Sequence, residues 1–200
     1  MRLRSRPAAL GLVLLAAGLG LATHALAIPA KAHLAQVLLD RAWQRTREGE
    51  GEARPWPWAD VVPVARLAVP RLDAEAVVLG GTSGEALAFG PGHLDASVAV
   101  GAPGTAVLAG HRDTHFRFLR DLAVGDLVLA QAAAGPPVAY RVVSTAIVAA
   151  GASGLEADDG GPTGARLALV TCWPFDGVAR GPLRYVVVAE RAPLLAYAGP

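Results

Sequence analysis

Three side chains in the second half of this chain have the types that covalent acyl transfer requires. Cys172 is the one cysteine among 200 residues, and an apolar run at 167–171 leads directly into it. A thiol is a nucleophile only as the thiolate, so a nearby base or cation is needed. His111 follows a similar apolar run, and Arg184 lies near the start of a third run at 183–189.

Each of these residues lies at or near the end of a predicted strand, where side chains that are distant in sequence can converge at the rim of a sheet. In such a cluster the thiolate of Cys172 attacks a carbonyl carbon, and His111 protonates the leaving amine. Arg184 stabilises the oxyanion, since a guanidinium remains charged and presents fixed N–H donors. Together the three residue types predict acyl transfer through a covalent cysteine intermediate.

The cysteine count and the charge exclude several other kinds of site. One cysteine cannot form an internal disulfide, nor a zinc site with two or more thiolates. The formal net charge is only +1, and no basic stripe is interleaved with aromatic residues, which argues against nucleic-acid binding. The alternative for Cys172 is an inert, buried cysteine. However, an unpaired thiol is a liability in an exported protein unless it has a use.

Four further residues are candidates for substrate binding: His93, Arg112, Thr171 and Trp173. Arg112 directly follows His111 and competes with Arg184 for the oxyanion. Thr171 precedes the nucleophile and either contacts the acyl group or is simply a β-branched strand residue. His93 follows a Gly-Pro-Gly turn and either lines the substrate groove or is an ordinary loop residue. Trp173 either forms a wall of the site or packs beneath the loop that follows it.

His115 lies four positions after His111, a spacing that binds metal ions when both histidines are on a helix. Asp113 and Thr114 favour a turn instead, and no further ligand is near in sequence. We therefore predict a supporting role for His115 beside the site, and we predict no metal or other cofactor.

The elements that must position these residues are short. The chain is 53% hydrophobic, with 23 Gly and 15 Pro spread between apolar runs. Runs with strand character are 64–69, 76–79, 105–109, 127–131, 138–148, 166–171 and 183–189. Single helical turns are predicted at 85–89 and 116–120, the first of them within a loop at 80–93. A set of about eight short strands with little helix predicts a closed β-barrel or a β-sandwich.

The N-terminal region has a different composition. Arg2, Arg4 and Arg6 precede an apolar stretch at 8–28. This stretch is long enough to cross a bilayer as a signal anchor, and its basic flank favours a cytoplasmic N-terminus. Cleavage after Ala-Leu-Ala at 25–27 is the alternative, in which a signal peptide is removed. In both cases the rest of the chain is exported.

The segment between the apolar stretch and the strands has three parts. Residues 31–43 have apolar side chains at helical spacing and predict an amphipathic helix next to the membrane. Residues 45–54 are charged and glycine-rich and predict a flexible linker, and the Pro-Trp-Pro-Trp at 55–58 either rests at the membrane interface or packs on the following domain. The predicted organisation is an anchor at 1–30, a juxtamembrane helix and linker at 31–58, and a catalytic β-barrel at 59–192.

The reactive residues are embedded in longer segments that resemble the sortase family. The sortase signature is TLxTC, and its second half is matched by Leu169-Val170-Thr171-Cys172. Leu167 stands where the first leucine is expected, and Arg184 lies on the predicted final strand, as in the family. The resemblance covers roughly residues 56–190 and is to sortases of Gram-negative proteobacteria, often called class GN. Its segments are AFGPGH (88–93), LAGHRDTHFRFLRDL (108–122), VTCWPFD (170–176) and GPLRYVV (181–187).

The resemblance implies an eight-stranded β-barrel and a membrane-anchored cysteine transpeptidase. Cys172 would attack the threonine carbonyl of an LPXTG-type sorting signal near the C-terminus of an exported protein, which gives a thioester acyl-enzyme. The C-terminal fragment would leave with a proton from His111, and an amine of unspecified identity would resolve the thioester. The family spacing favours Arg184 over Arg112 at the oxyanion. The implied location is the inner (cytoplasmic) membrane, with the catalytic domain on the periplasmic side.

An acidic loop is the remaining candidate for ion binding. Glu156, Asp158 and Asp159 lie among glycines in a loop predicted at 149–164. These residues do not reproduce the acidic set of a class A sortase calcium site, and a solvated acidic loop is favoured over weak calcium binding.

Two other functions are compatible with parts of the pattern. The first is an L,D-transpeptidase acting on peptidoglycan, but in those enzymes the histidine shortly precedes the cysteine, whereas His111 lies far upstream of Cys172. The second is an anchored β-barrel that binds a peptide without catalysis. A reactive thiol at Cys172 distinguishes an enzyme from this second alternative.

Overall fold

The computed structural model describes residues 5–151, 164–177 and 181–193, with side chains described from residue 10 onward. Within them the strands are β1 (Pro63–Val69), β2 (Ala74–Gly80), β3 (Gly92–His93), β4 (Gly104–Ala109), β5 (Leu127–Ala132), β6 (Val138–Ala149), β7 (Ala165–Trp173) and β8 (Leu183–Ala192). The helices are α1 (Ser5–Arg47) and α2 (Gly84–Phe89), with 3-10 helices at Pro70–Leu72 and Arg117–Asp121. The strands close into a barrel in the order β1-β2-β3-β4-β7-β8-β6-β5, which confirms the barrel and excludes the sandwich.

Every apolar run predicted as a strand forms one, and both predicted helical turns are present. The exception is β3, which lies in the segment predicted as a loop. It has two residues, so it is too short to show the alternation that identifies a strand. A Cβ at Gly92 would collide with the backbone carbonyl of Gly81, so this close pairing requires glycine.

Two strand pairings determine which residues meet at the barrel rim. β4 and β7 are parallel neighbours, with Ala109 opposite Val170. Because parallel strands run in the same direction, the residues that follow these two positions emerge at the same end of the barrel. β7 and β8 are antiparallel neighbours, with Cys172 opposite Arg184.

The barrel interior is filled by aliphatic side chains and a few aromatic ones. The largest side chains with almost no exposure in this core are Tyr140, Phe116, Leu67, Leu108, Leu119, Leu167 and Leu169. The Tyr140 hydroxyl accepts a hydrogen bond from the backbone N–H of Gly101 at 2.9 Å, which satisfies its one polar atom. The apolar runs predicted as strands therefore contribute side chains to one packed core.

A second apolar cluster lies outside the barrel. Its buried members are Leu39, Trp43, Ala59, Val61, Val77, Leu79 and Ala86, and Trp56 and Phe89 pack against it. The last turns of α1 are thus packed on β2 and α2. Of the two tryptophans at 55–58, Trp56 packs on Phe89 with ring centroids 4.9 Å apart, whereas Trp58 is 79% exposed.

Helix α1 is continuous through Pro29, so the helix predicted at 31–43 is part of a longer one. An 18-residue stretch in it reaches a mean hydropathy of 2.0, and by length and composition α1 is the one described helix able to cross a membrane. The chain divides into two compact units, Met1–Leu38 and Leu39–Pro200, and the boundary between them falls inside α1. Beyond the helix, the predicted linker is held by hydrogen bonds, including one from the Arg45 guanidinium to the carbonyl of Arg54 at 2.6 Å.

Candidate active site

A cavity of about 470 Å³ lies at the barrel rim where β4, β7 and β8 meet. Its lining includes the three residues predicted to carry the chemistry, His111, Cys172 and Arg184, together with Arg112, Thr171 and Leu87. The volume is in the range of sites that bind small molecules or a few residues of a peptide. The structure therefore brings together the residues that the sequence pattern selected.

His111 is positioned by the glycine that precedes it. The backbone N–H of Gly110 donates to the carbonyl of Val170 at 3.1 Å, and the Thr171 hydroxyl donates to the carbonyl of Gly110 at 2.7 Å. A Cβ at Gly110 would lie 2.8 Å from the ring of Phe116, which is fully buried. Only glycine fits between this ring and the strand, so the backbone before His111 is fixed to β7.

The backbone after His111 forms a closed turn. The backbone N–H of Phe116 donates to the carbonyl of His111 at 3.0 Å. Residues 112–116 form turns and are followed by the 3-10 helix Arg117–Asp121, so His111 and His115 do not share a helical face. The helical geometry that makes such a pair a metal site is absent from this part of the chain.

Cys172 and Arg184 are direct cross-strand partners near the end of the β7–β8 ladder. Cross-strand neighbours have Cβ atoms about 5 Å apart, which places the guanidinium within reach of a group that binds the sulfur. Nη1 of Arg184 donates to the carbonyls of Gly181 and Leu183 at 2.8 and 2.9 Å. These bonds orient the guanidinium from the backbone side.

Arg112 also lines the cavity, but its guanidinium reaches the loop that follows β7. Its Nη2 donates to the carbonyl of Gly177, and a Cβ at Gly177 would lie 3.2 Å from both terminal nitrogens. The sequence alone presents Arg112 as a competitor for the oxyanion. In the structure Arg112 links the turn that begins at His111 to the loop that follows β7.

The loop after β7 is held by an aromatic cluster. Trp173 stacks on Tyr185 with ring centroids 5.8 Å apart, and the Phe175 ring contacts both edge-on. The guanidinium of Arg120 lies 5.5 Å from the Phe175 ring centre and pairs with Asp176 at 2.7 Å. Of the two interpretations for Trp173, its packing partners favour a ring that supports the loop.

Two other predicted substrate-binding residues have partners within the protein. Thr171 is 2% exposed, and its hydroxyl donates a hydrogen bond to the carbonyl of Gly110. Nε2 of His93 lies 2.8 Å from the carbonyl of Val98 and 3.3 Å from the Ser97 hydroxyl. His93 is not among the residues that line the cavity with Cys172. Its role in substrate binding stays a prediction.

The acidic residues Glu156, Asp158 and Asp159 lie outside the described residues. Within residues 5–151, 164–177 and 181–193, no three histidine, cysteine or acidic side chains converge as metal ligands.

A family model for the sortase domain matches residues 67–192. This chain belongs to the sortase family. Sortase D of Bacillus subtilis (strain 168) is 33% identical over 130 residues, which are 62% of this chain and 62% of that relative. The present chain therefore spans less than two thirds of the length of this curated relative.

Solved sortase structures share the fold. Sortase C-1 from Actinomyces oris is 30% identical with a TM-score of 0.58, over 67% of this chain and 76% of that chain. Sortase A from Corynebacterium diphtheriae is 24% identical with a TM-score of 0.61, over 80% and 85% of the two chains. The sortase resemblance is confirmed at the level of the family. The assignment to the Gram-negative class stays a prediction.

Sequence reasoning missed two features of this sortase site. Leu87 on α2 forms part of the cavity wall. The sequence around Leu87 does not indicate this position, because an apolar residue in a short helical turn can pack against many different parts of a fold. The aromatic partner of Trp173 was also missed, although Tyr185 directly follows Arg184 and alternation along β8 places it on the opposite face from that arginine.

Proposed function

We propose that this sortase-family protein is a cysteine transpeptidase whose nucleophile is Cys172. The observation that carries the proposal is the convergence of His111, Cys172 and Arg184 on one cavity from three different strand ends. A thiol, an imidazole and a guanidinium provide a nucleophile, an acid–base group and an oxyanion donor. A peptide-binding barrel without catalysis would not require this combination.

The first half of the proposed reaction forms an acyl-enzyme. The Cys172 thiolate attacks a peptide carbonyl carbon and forms a C–S bond, and the carbonyl electrons move to oxygen to give a tetrahedral oxyanion. When the intermediate collapses, the C–N bond breaks and protonated His111 gives its proton to the leaving amine. The product is a thioester on Cys172 and a free C-terminal fragment.

The second half returns the enzyme to its starting state. A primary amine attacks the thioester carbonyl, neutral His111 takes the proton from the attacking nitrogen, and the C–S bond breaks. An amide and the Cys172 thiolate result, with His111 again protonated. Water in place of the amine gives hydrolysis by the same steps.

Arg184 is the proposed oxyanion donor. It faces Cys172 across the β7–β8 ladder, and two backbone carbonyls orient its guanidinium. A donor oriented before the reaction stabilises the developing negative charge without reorganising. Arg112 is less suited to this role because it is not the cross-strand partner of Cys172, and its guanidinium reaches instead to the loop after β7, at the carbonyl of Gly177.

The proposed substrate is the C-terminal sorting signal of another exported protein, with an LPXTG-like motif. The cavity places the apolar side chains of Leu87 and Val170 beside the proposed reactive groups, which suits an extended peptide with aliphatic side chains. The sequence segments given above favour a sortase of the Gram-negative class. The acceptor is an amine whose identity the chain does not specify.

The proposed location is the inner membrane, with the barrel on the periplasmic side. Helix α1 is long and apolar enough to serve as the anchor. The proposed organisation keeps an anchor at 1–30, a juxtamembrane segment at 31–58 and a catalytic barrel at 59–192. Since Leu39, Trp43 and Ala59 share one apolar cluster, the juxtamembrane segment contributes to the stability of the barrel unit.

The proposal is tested by mixing the full-length protein in detergent micelles with an LPXTG-type peptide and a small primary amine. Intact mass should show an acyl adduct on Cys172 that disappears when the amine is added, with a matching amide product. His111→Ala should abolish both the acyl adduct and the amide product. The matched control His33→Ala should abolish neither, because His33 lies in the compact unit Met1–Leu38, apart from the barrel unit.

Two negative outcomes have different meanings. Failure of a panel of such peptides to form an adduct, while iodoacetamide still alkylates Cys172 readily, would retain the enzyme and reject the proposed motif. If there is no adduct and the thiol is also inert, the non-catalytic barrel is the better description.

A further inference from the structure

The chain that leaves β7 after Cys172 begins with a turn that the β7–β8 ladder does not hold. The last pair of that ladder is Trp173 with Leu183, so the residues at 174–177 (the β7 turn) lie beyond it. Within the β7 turn, the backbone N–H of Gly177 donates to the carbonyl of Pro174 at 3.2 Å. Because fixing each backbone residue costs conformational entropy, so short a turn needs contacts with other parts of the protein to keep one position.

Those contacts come from two arginines on the segment that follows β4. The guanidinium of Arg120 pairs with Asp176 at 2.7 Å and lies 5.5 Å from the centre of the Phe175 ring. Arg112 donates from Nη2 to the backbone carbonyl of Gly177. Three consecutive residues of the β7 turn therefore have partners on one neighbouring segment.

The two arginines differ in how well they can hold the β7 turn. The side chains of Arg120 and Asp176 are 36% and 92% exposed, so water and salt weaken their attraction. The bond from Arg112 to Gly177 is partly buried and joins a charged donor to a backbone carbonyl, which makes it the stronger type of contact. We therefore expect Arg112 to contribute more than Arg120 to the position of the turn.

The absence of a side chain at Gly177 allows the guanidinium of Arg112 to lie close to the backbone. A Cβ at Gly177 would be 3.2 Å from both terminal nitrogens of Arg112 and 3.2 Å from the carbonyl oxygen of Pro174. The guanidinium thus lies across this residue instead of approaching it with one atom. Gly177 itself is not among the residues that line the cavity, so a change there acts on the site through its neighbours.

Arg112 also lies between the two main residues of the proposed reaction. It directly follows His111, and both line the cavity that contains Cys172. On the other side of His111, the backbone N–H of Gly110 already donates to β7. The bond from Arg112 to Gly177 adds a second link, from the turn that begins at His111 to the β7 turn.

We propose that Arg112 is a positioning residue that fixes His111 relative to Cys172 by holding the turn at His111 to the β7 turn. The consequence for turnover rests on the proposed transpeptidase function, because a reaction shared by these two side chains requires a fixed spacing between them. The consequence for the β7 turn does not depend on any substrate.

The substrate-independent test is hydrogen exchange of the full-length protein in detergent micelles, with fragmentation that resolves the N–H of Gly177. Arg112→Met keeps a long apolar stem but removes every donor, and exchange at Gly177 should accelerate about tenfold. Arg120→Met should accelerate it by less than about threefold. Arg112→Lys restores one donor of similar reach and should return exchange to within about threefold of wild type. Exchange in β1 and β5, which do not neighbour β7, should be unchanged.

Four results of the exchange experiment would overturn the proposal. They are unchanged exchange at Gly177 in Arg112→Met, equal acceleration in β1 and β5, a larger effect of Arg120→Met, and no recovery in Arg112→Lys.

Peptide turnover gives the second readout. Arg112→Met should lower kcat about tenfold or more while KM changes by less than about threefold, because alignment is lost while peptide binding is kept. Arg117→Met is the matched control, since Arg117 is an exposed arginine on the same segment, and its kinetics should equal those of wild type. A rise in KM with unchanged kcat would make Arg112 a substrate-binding residue and contradict the positioning role.

A fall in kcat would also follow if Arg112 touched the oxyanion directly, and Gly177→Ala separates the two roles. The added Cβ crowds the guanidinium from outside the cavity, so kcat should fall about fivefold when Arg112 is present and less than about twofold in the Arg112→Met background. Equal effects in both backgrounds would show that the two residues act independently, and the proposal would be wrong. If the wild type turns over no peptide, the transpeptidase proposal has failed, and the exchange experiment still decides the role of Arg112.

Discussion

The two faces of the β7–β8 ladder have different tasks. Toward the barrel interior this ladder places Leu167, Leu169 and Val187, all with almost no exposure, in the main core. On the other face, at the rim, it places Cys172 and Arg184 opposite one another in the cavity. The alternation of side chains along a β-strand thus places the core residues and the residues of the proposed site on opposite faces of one ladder. If the proposed function is correct, substitutions on the two faces should separate stability from turnover.

The largest expected effect is on the reactive face. Cys172→Ala should reduce peptide turnover by more than about 1,000-fold, because Cys172 carries the one thiol in the cavity lining that the structure describes. Its free energy of unfolding should change by less than about 1 kcal/mol, since the thiol is only half-buried. Turnover assays and urea denaturation measure the two properties. A loss of several kcal/mol would instead identify a structural cysteine.

Arg184→Lys should lower kcat about 100-fold, because an ammonium loses the fork of donors that the two backbone carbonyls orient toward the site. Steady-state kinetics measure this effect. Arg141→Lys is the matched control, since Arg141 donates to the carbonyl of Gly125 on an exposed part of the barrel. Equal effects of the two variants would remove Arg184 from the reaction.

Gly110→Ala tests the contact between the strand and the turn that presents His111. The added Cβ lies 2.8 Å from the ring of Phe116, so it should destabilise the fold by about 1–3 kcal/mol and lower turnover together. Thermal and urea unfolding measure the first effect. Gly84→Ala is the control, since nothing lies within 4 Å of its Cβ, and it should be neutral or slightly stabilising.

The smallest expected effect concerns the residue beside the nucleophile. Thr171→Val keeps the shape of the buried side chain but leaves the carbonyl of Gly110 without its hydroxyl donor, at a cost of about 1 kcal/mol. Turnover should fall less than tenfold, through the position of His111. Thr145→Val on the exposed part of β6 controls for the change of residue type. A loss of turnover as large as that of Cys172→Ala would assign Thr171 a direct role in the reaction.

Much of the barrel and the three residues of the proposed site could be selected from sequence because their signals are local. Apolar runs of four or more residues identify strands, and Cys172, His111 and Arg184 each follow or interrupt such a run. β3 could not be found this way, since its pairing depends on the close approach of two glycine-containing segments rather than on its own residue pattern.

The supporting contacts of the site could not be predicted because they join distant segments. The bond from Arg112 to Gly177 depends on how the loop after β7 lies over the barrel rim. The partners of Trp43 could not be predicted for the same reason. The helical spacing of the apolar residues at 31–43 indicated an amphipathic helix, but it did not indicate that Trp43 packs against residues of β2 and α2.

The position of β8 in the barrel has a consequence for how the protein is made. β8 is the last strand of the described residues, yet it lies between β7 and β6, and it carries the cross-strand partner of Cys172. A chain that is threaded across a membrane from its N-terminal side delivers His111 first, then Cys172, and Arg184 last. In the proposed topology, a partly translocated copy would therefore have its thiol outside but neither a closed barrel nor the proposed oxyanion donor Arg184, and it would stay inactive until β8 had arrived.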